Sequence, residues 1–170
     1  MAITFIAIAT TELTSGAASI TFSSIPATYT DLYLVISGRT NRSGAIQDNI
    51  QLIYNGSTSS QADRRIFSDM SSIASFTDAL LYPGLTTANS ATGSVFGSTM
   101  VYITNYATSN SKVSVSQGTA ENNASGGAMN LGVESWANSA AITSIQISSR
   151  HSATLQPSTT ATLYGIKNTV

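Results

Sequence analysis

The stretch Val95-Phe96-Gly97-Ser98-Thr99-Met100-Val101-Tyr102-Ile103-Thr104-Asn105-Tyr106-Ala107-Thr108-Ser109-Asn110-Ser111-Lys112-Val113-Ser114-Val115-Ser116 decides the fold class. Val95, Thr99, Val101 and Ile103 share one parity, and Phe96, Met100 and Tyr102 take the other. That period of two is the period of a β-strand. Asn105 to Ser111 is turn chemistry, and beyond it Val113 and Val115 alternate with Ser114 and Ser116. Strand, polar loop and strand predict a hairpin.

The same alternation recurs outward in both directions. Ile20 and Phe22, then Leu32, Leu34 and Ile36, then Ile50, Leu52 and Tyr54 precede the hairpin. Met129, Leu131 and Val133, then Ile145 and Ile147, then Thr160, Thr162, Tyr164 and Ile166 follow it. Ile66 and Phe67 make a weaker run, and Ile3, Phe5 and Ile6 open the chain. Asn41-Arg-Ser-Gly44, Asn55-Gly-Ser57, Tyr82-Pro-Gly84 and Asn122-Asn-Ala-Ser-Gly-Gly127 punctuate these runs with turn residues. The expectation is one antiparallel β-sandwich domain over residues 1–170, all-β, with about 8–10 strands in a jelly-roll arrangement. Thr77 to Gly93 has little periodicity and is expected to be a long exposed loop. Ser68 to Phe76 reads equally as a helical turn or a strand.

Composition agrees. The 170 residues include 28 Ser and 23 Thr, but only three Glu and two Lys. Surface helices are normally built from Glu, Lys and Arg. Hydrophobic residues make up 42% and charged residues 9%, with net charge −1. Near-neutral charge at that hydrophobicity argues against disorder. The polar faces of the strands must be built from hydroxyls in place of charges. A phosphate-neutralising nucleic-acid binder needs a basic surplus, which is missing. No 18-residue apolar run exists to span a membrane as a helix. MAITFIAIAT lacks a basic leader region and is not read as a signal peptide. Without cysteine there is neither a disulfide nor a thiolate nucleophile.

Reactive constellations are scarce. His151 is the only imidazole available as a triad base, and G-x-S-x-G is absent. The plainer reading puts His151 at a strand end facing solvent or an interface. Asp63, Asp69 and Asp78 lie close enough in sequence to line a calcium loop, against the plainer reading of solvated acids. The expectation is no enzyme, no catalytic residue, no metal and no cofactor.

Two segments carry a resemblance. One is Ser23-Ser-Ile-Pro-Ala-Thr-Tyr-Thr-Asp-Leu-Tyr-Leu-Val-Ile-Ser-Gly-Arg39, followed by Ile50-Gln-Leu-Ile-Tyr-Asn-Gly56. The other is Ser158-Thr-Thr-Ala-Thr-Leu-Tyr-Gly-Ile-Lys167. Together they resemble small virion structural proteins of tailed bacteriophages, especially phages of cyanobacteria and marine bacteria. The resemblance covers the first third and the last tenth of the chain. It implies a jelly-roll-like sandwich located in the virion, with the capsid surface favoured over the tail. The implied function is that of a capsid decoration (cement) protein. The alternative is a tail fibre or spike module binding a host-surface glycan.

The residues of these motifs are structural. Pro26 fixes the turn into the next strand, and Tyr29 and Asp31 are placed to brace it. Gly165 lets the last strand pack closely against a neighbour. Free β-proteins guard sheet edges with charge, especially Lys, and this chain does not. The expected partners are therefore copies of itself; the resemblance implies that these form a trimer, and that the major capsid protein or tail proteins of the same virion are the further partners. Ile3, Phe5, Ile6, Ile8, Arg64 and Arg65 are the candidate subunit or capsid contacts. For the apolar four, a plain core strand is the competing reading. Under the glycan alternative, Tyr82, Tyr106 and Trp136 would form the stacking platform. For Trp136 the favoured reading is core or subunit interface, with the ligand platform as its rival.

Overall fold

A computed structural model describes residues 5–167. They form twelve strands and no helix. The strands are β1 (Phe5–Glu12), β2 (Ser19–Phe22), β3 (Asp31–Gly38), β4 (Gln47–Tyr54), β5 (Gln61–Ser68), β6 (Ile73–Asp78), β7 (Leu81–Thr87), β8 (Gly97–Thr104), β9 (Lys112–Glu121), β10 (Gly127–Trp136), β11 (Ile145–Ser149) and β12 (Thr160–Ile166). One sheet runs β1-β12-β3-β8-β9-β10-β5-β6 and the other β2-β11-β4-β7. All strand pairs are antiparallel.

The pairing is nested. The first strand pairs with the last, β2 with β11, β3 with β8 and β4 with β7. With β5–β6 and β9–β10 set aside, the eight remaining strands form β1-β12-β3-β8 over β2-β11-β4-β7. That is a jelly roll. The hairpin β5–β6 is inserted in the β4–β7 connection, and β9–β10 in the β8–β11 connection. Because β10 pairs with β5, the two inserts join into a four-stranded extension of the larger sheet.

The main core fills the jelly roll. Leu32, Leu34 and Ile36 of β3, Val101 and Ile103 of β8 and Leu163 of β12 face Ile20, Phe22, Ile50, Leu52, Ile145 and Ile147 of the smaller sheet. All are buried. Asn55 and Gly56, at φ 52° and 69°, make the tight turn after β4 that the Asn-Gly pair predicts. The Tyr29 ring lies against Gly165, where a Cβ would come 2.4 Å from it. Asp31 braces the neighbouring corner by accepting the Asn105 N–H at 2.8 Å and the Tyr102 hydroxyl at 2.7 Å.

Two stretches differ from expectation. The expected loop of 77–93 contains β7, whose seven residues are all buried. A strand covered on both faces has no solvent side, so it shows no alternation, and Pro83-Gly84 disguises it further. Ser68 to Phe76 resolves as the end of β5, a turn and the start of β6.

Strand β7 packs across the inner face of β8, β9 and β10 at very short range. A Cβ on Gly118 would lie 2.4 Å from the Leu85 nitrogen and 2.8 Å from the Gly84 Cα. A Cβ on Gly84 would lie 1.9 Å from Thr99 Oγ1, and the Thr99 hydroxyl donates to the Leu85 carbonyl. Backbone against backbone leaves no room for large side chains.

Candidate functional site

That close approach decides where the side chains of the extension point. On β9, Ser114, Ser116 and Ala120 face inward, while Val113 and Val115 face out. On β10, Ala128, Asn130 and Glu134 face inward, while Met129, Leu131 and Val133 face out. Only small or hydrogen-bonding groups fit beneath β7, so the apolar set is displaced to the outer face.

The buried carboxylates are held by neighbouring donors, whereas the Asn130 side-chain amide has no hydrogen-bond partner among the described residues. Glu134 accepts hydroxyl hydrogen bonds from Ser114, at 2.5 Å, and from Ser116. Burial pushes its carboxyl up to about 7, opposed by those two hydroxyls and aided by Asp63. Asp63 sits opposite Glu134 in the β5–β10 register. It accepts the Tyr82 N–H at 2.9 Å and a guanidinium hydrogen bond from Arg65 at 2.6 Å. Burial nonetheless raises its pKa. Arg65 reaches Asp78 at 2.7 Å as well.

On the outer face the apolar set is continuous. Strand register places Ile66 beside Leu131, Val133 beside Val115, and Val115 beside Tyr102. Tyr102 lies beside Tyr33, which in turn lies beside Tyr164. Phe5 meets Tyr33 and Tyr164 edge-on, at 5.9 and 6.5 Å between centroids. Eight large apolar residues here are exposed: Phe5, Ile66, Ile73, Val113, Val115, Met129, Leu131 and Val133. Their exposed surface is on the order of 700 Å², beyond the largest apolar patch of an ordinary monomer. Arg64 lies among them, its guanidinium folded back to donate to the Asp63 carbonyl, and the exposed Glu121 and Glu12 end β9 and β1 on the same face.

The residues singled out from sequence fall in different places. Phe5 and Arg64 belong to this outer face. Ile6 and Ile8 of β1 are half-buried, and Ile8 packs on the main core. Ile3 lies outside the described residues. Arg65 is buried between two carboxylates, so it is no surface contact. Tyr82, Tyr106 and Trp136 are also buried, which corrects the expectation of a sugar-stacking platform. Trp136 packs edge-on against Tyr54, the Tyr106 hydroxyl donates to the Pro26 carbonyl, and Tyr82 stacks beneath Arg150. The outer face itself was missed. Alternation marks a strand without saying which side is covered.

His151 and Ser149 meet on one carboxylate. Asp48 accepts the Ser149 hydroxyl at 2.6 Å and the Thr40 hydroxyl at 3.0 Å, and it lies 2.7 Å from His151 Nδ1. A serine nucleophile hands its proton to imidazole, whereas this hydroxyl is spent on the carboxylate. Asp69 caps the β5–β6 turn through Ser71 and Ser72, which lowers its pKa to about 2. It does not join Asp63 and Asp78, which face inward. Among the described residues, no group of three His, Cys, Asp or Glu could hold a metal ion.

Below the overhanging end of β5–β6 lies a cleft of about 460 Å³, lined by Arg42, Arg65 and Arg150 with Phe67 and Phe76. No protein-family model matches the chain, and no curated protein matches it.

Proposed function

We propose that the chain is a structural protein of a bacteriophage virion, a capsid decoration protein that binds the assembled capsid surface and stabilises it. It acts by binding, without a reaction or a cofactor. The observation that supports this is the outer face of the eight-stranded sheet, apolar from Phe5 to Ile73 with Arg64, Glu12 and Glu121 as its exposed charges. Eight strands at about 4.8 Å spacing give a face roughly 35 Å wide. Its apolar area approaches the roughly 800 Å² that each partner contributes to a standard interface. A surface with few charges selects a partner surface with few charges, here that of the capsid lattice. Copies of the chain associate as a trimer through the lightly charged edge strands β1 and β6. A footprint spanning several capsid subunits exists only in the assembled lattice, so binding stabilises the lattice by mass action. The phage assignment rests on the resemblance of residues 23–39, 50–56 and 158–167.

The test is a heating series on particles with and without the protein, at low and high salt. Complete particles should release DNA at a higher temperature, with little dependence on salt. Equal release temperatures sink the cementing role.

A further inference from the structure

The cleft under β5–β6 exists because the sheets are unequal in width. Eight strands lie over four, and β7 covers the inner face of β8, β9 and β10 more fully than that of β5. The uncovered end of the extension, the start of β4 and the segment around Arg42 enclose the cleft. Among the described residues, three guanidinium groups line it and no carboxylate does.

The carboxylates stand behind the arginines and fix them. Arg65 is clamped by Asp63 and Asp78 at 2.6 and 2.7 Å. Arg150 reaches Asp78 at 3.4 Å and stacks on the Tyr82 ring at 4.4 Å. Arg42 lies 3.7 Å from the buried Asp48 and donates to the Gln47 carbonyl at 3.1 Å. The side chains of Arg42 and Arg150 each remain 32% exposed, so both keep donors free toward the opening. Pre-positioned guanidinium groups match a carboxylate in plane and spacing. Phe76, 44% exposed and held against Arg65, offers an apolar surface beside them. Asn49 and Ser90 add short polar groups. The volume lies in the range of small-ligand sites.

We propose that this cleft binds a carboxylate-bearing sugar residue, such as a uronic or sialic acid. The carboxylate takes Arg42 and Arg150, the carbon face of the ring lies on Phe76, and the hydroxyls meet Asn49 and Ser90. The cleft is separate from the outer sheet face, so the proposal stands or falls independently of capsid docking.

The experiment titrates the full chain, followed by protein-observed NMR, with glucuronate, N-acetylneuraminate, glucuronic acid methyl ester, glucose and inorganic phosphate. Single acidic sugars should bind with dissociation constants on the order of 1–10 mM. The amides of Gln47 and Asn49 should shift. The methyl ester and glucose should bind about tenfold more weakly, as should glucuronate to Arg42→Gln or Arg150→Gln. Lys167→Gln, remote from the cleft, should bind as the parent does. The ester comparison uses the unaltered protein, so it survives any folding defect in the variants. Binding of glucose, ester or phosphate as tight as that of glucuronate overturns the proposal. So does an absence of shifts at about 20 mM acidic sugar.

Discussion

In the jelly-roll half of the larger sheet, β3 sends Leu32, Leu34 and Ile36 inward. In the extension, β9 and β10 send Ser114, Ser116, Asn130 and Glu134 inward, and put Val113, Val115, Leu131 and Val133 outside. Both halves alternate with the same period and belong to one hydrogen-bonded sheet. The difference lies in what stands opposite. Beneath β3 the smaller sheet leaves a layer for large side chains, of the usual ~10 Å spacing between packed sheets. Beneath β9 and β10 the β7 backbone comes close enough to touch Gly118. The inward face of a strand is therefore chosen by the room available there, and the apolar residues go where they fit.

The largest loss of stability is expected in the jelly-roll core. Leu34→Ala leaves a cavity where Leu34 is fully buried, and should cost about 3–5 kcal/mol by chemical denaturation. A cost below ~1 kcal/mol would mean that the jelly roll is not the stable half. Gly118→Ala tests the extension. Its new Cβ meets the Leu85 nitrogen and Gly84 Cα, neither of which can rotate away. Overpacking of that kind should cost about 3 kcal/mol. A neutral result would show that β7 can lift off the sheet.

The jelly-roll half was legible from the sequence because its strands have one covered and one open face. Leu32-x-Leu34-x-Ile36 and Ile50-x-Leu52-x-Tyr54 announce both the strand and its inner side. The extension was half legible. Val113-x-Val115 and Met129-x-Leu131-x-Val133 announce strands, but local pattern cannot say that serines face in. That outcome depends on β7, which is distant in sequence and hidden by uniform burial. The weak signal available was Gly84, Gly97, Gly118 and Gly132, glycines inside strand runs, which mark close backbone approach. Tyr82, Tyr106 and Trp136 were misread as a surface platform for a related reason. An isolated aromatic carries no period. The arginine cleft joins residues 42, 65 and 150, and nothing local connects them.

The polar interior of the extension makes it the acid-stable half. A carboxyl whose folded pKa lies above its unfolded value is held protonated by the fold. Its contribution is full below the ordinary 4.5 and is lost as pH rises through about 7 for Glu134. Asp63 is also raised and acts with the same sign. Stability should therefore fall by about 2 kcal/mol between pH 5 and pH 8. Glu134→Gln should remove most of that slope and leave the variant more stable than the parent at pH 8. Stability that rises with pH over this window, in the parent protein, would show that Glu134 is ionised at little cost.

The smallest effect on stability belongs to the outer face. Leu131 and Val115 are as apolar as Leu34, yet they stand 46% and 56% exposed on the sheet face turned away from β7. Replacing either with Ser removes about half the apolar burial that a core position would lose. The monomer's stability should stay within about 1 kcal/mol of the parent. If the outer face is a docking surface, the same substitutions put a hydroxyl into a contact that has to be dry. Leu131→Ser and Val115→Ser should then lower the melting temperature by no more than about 4 °C and weaken attachment to capsids at least about tenfold, the scale expected for a central interface side chain. Co-sedimentation with stripped particles measures the second quantity, and calorimetry the first. A variant that melts early and still attaches fully would make these positions part of the fold's own core. The inversion between the two halves would then be a matter of packing alone.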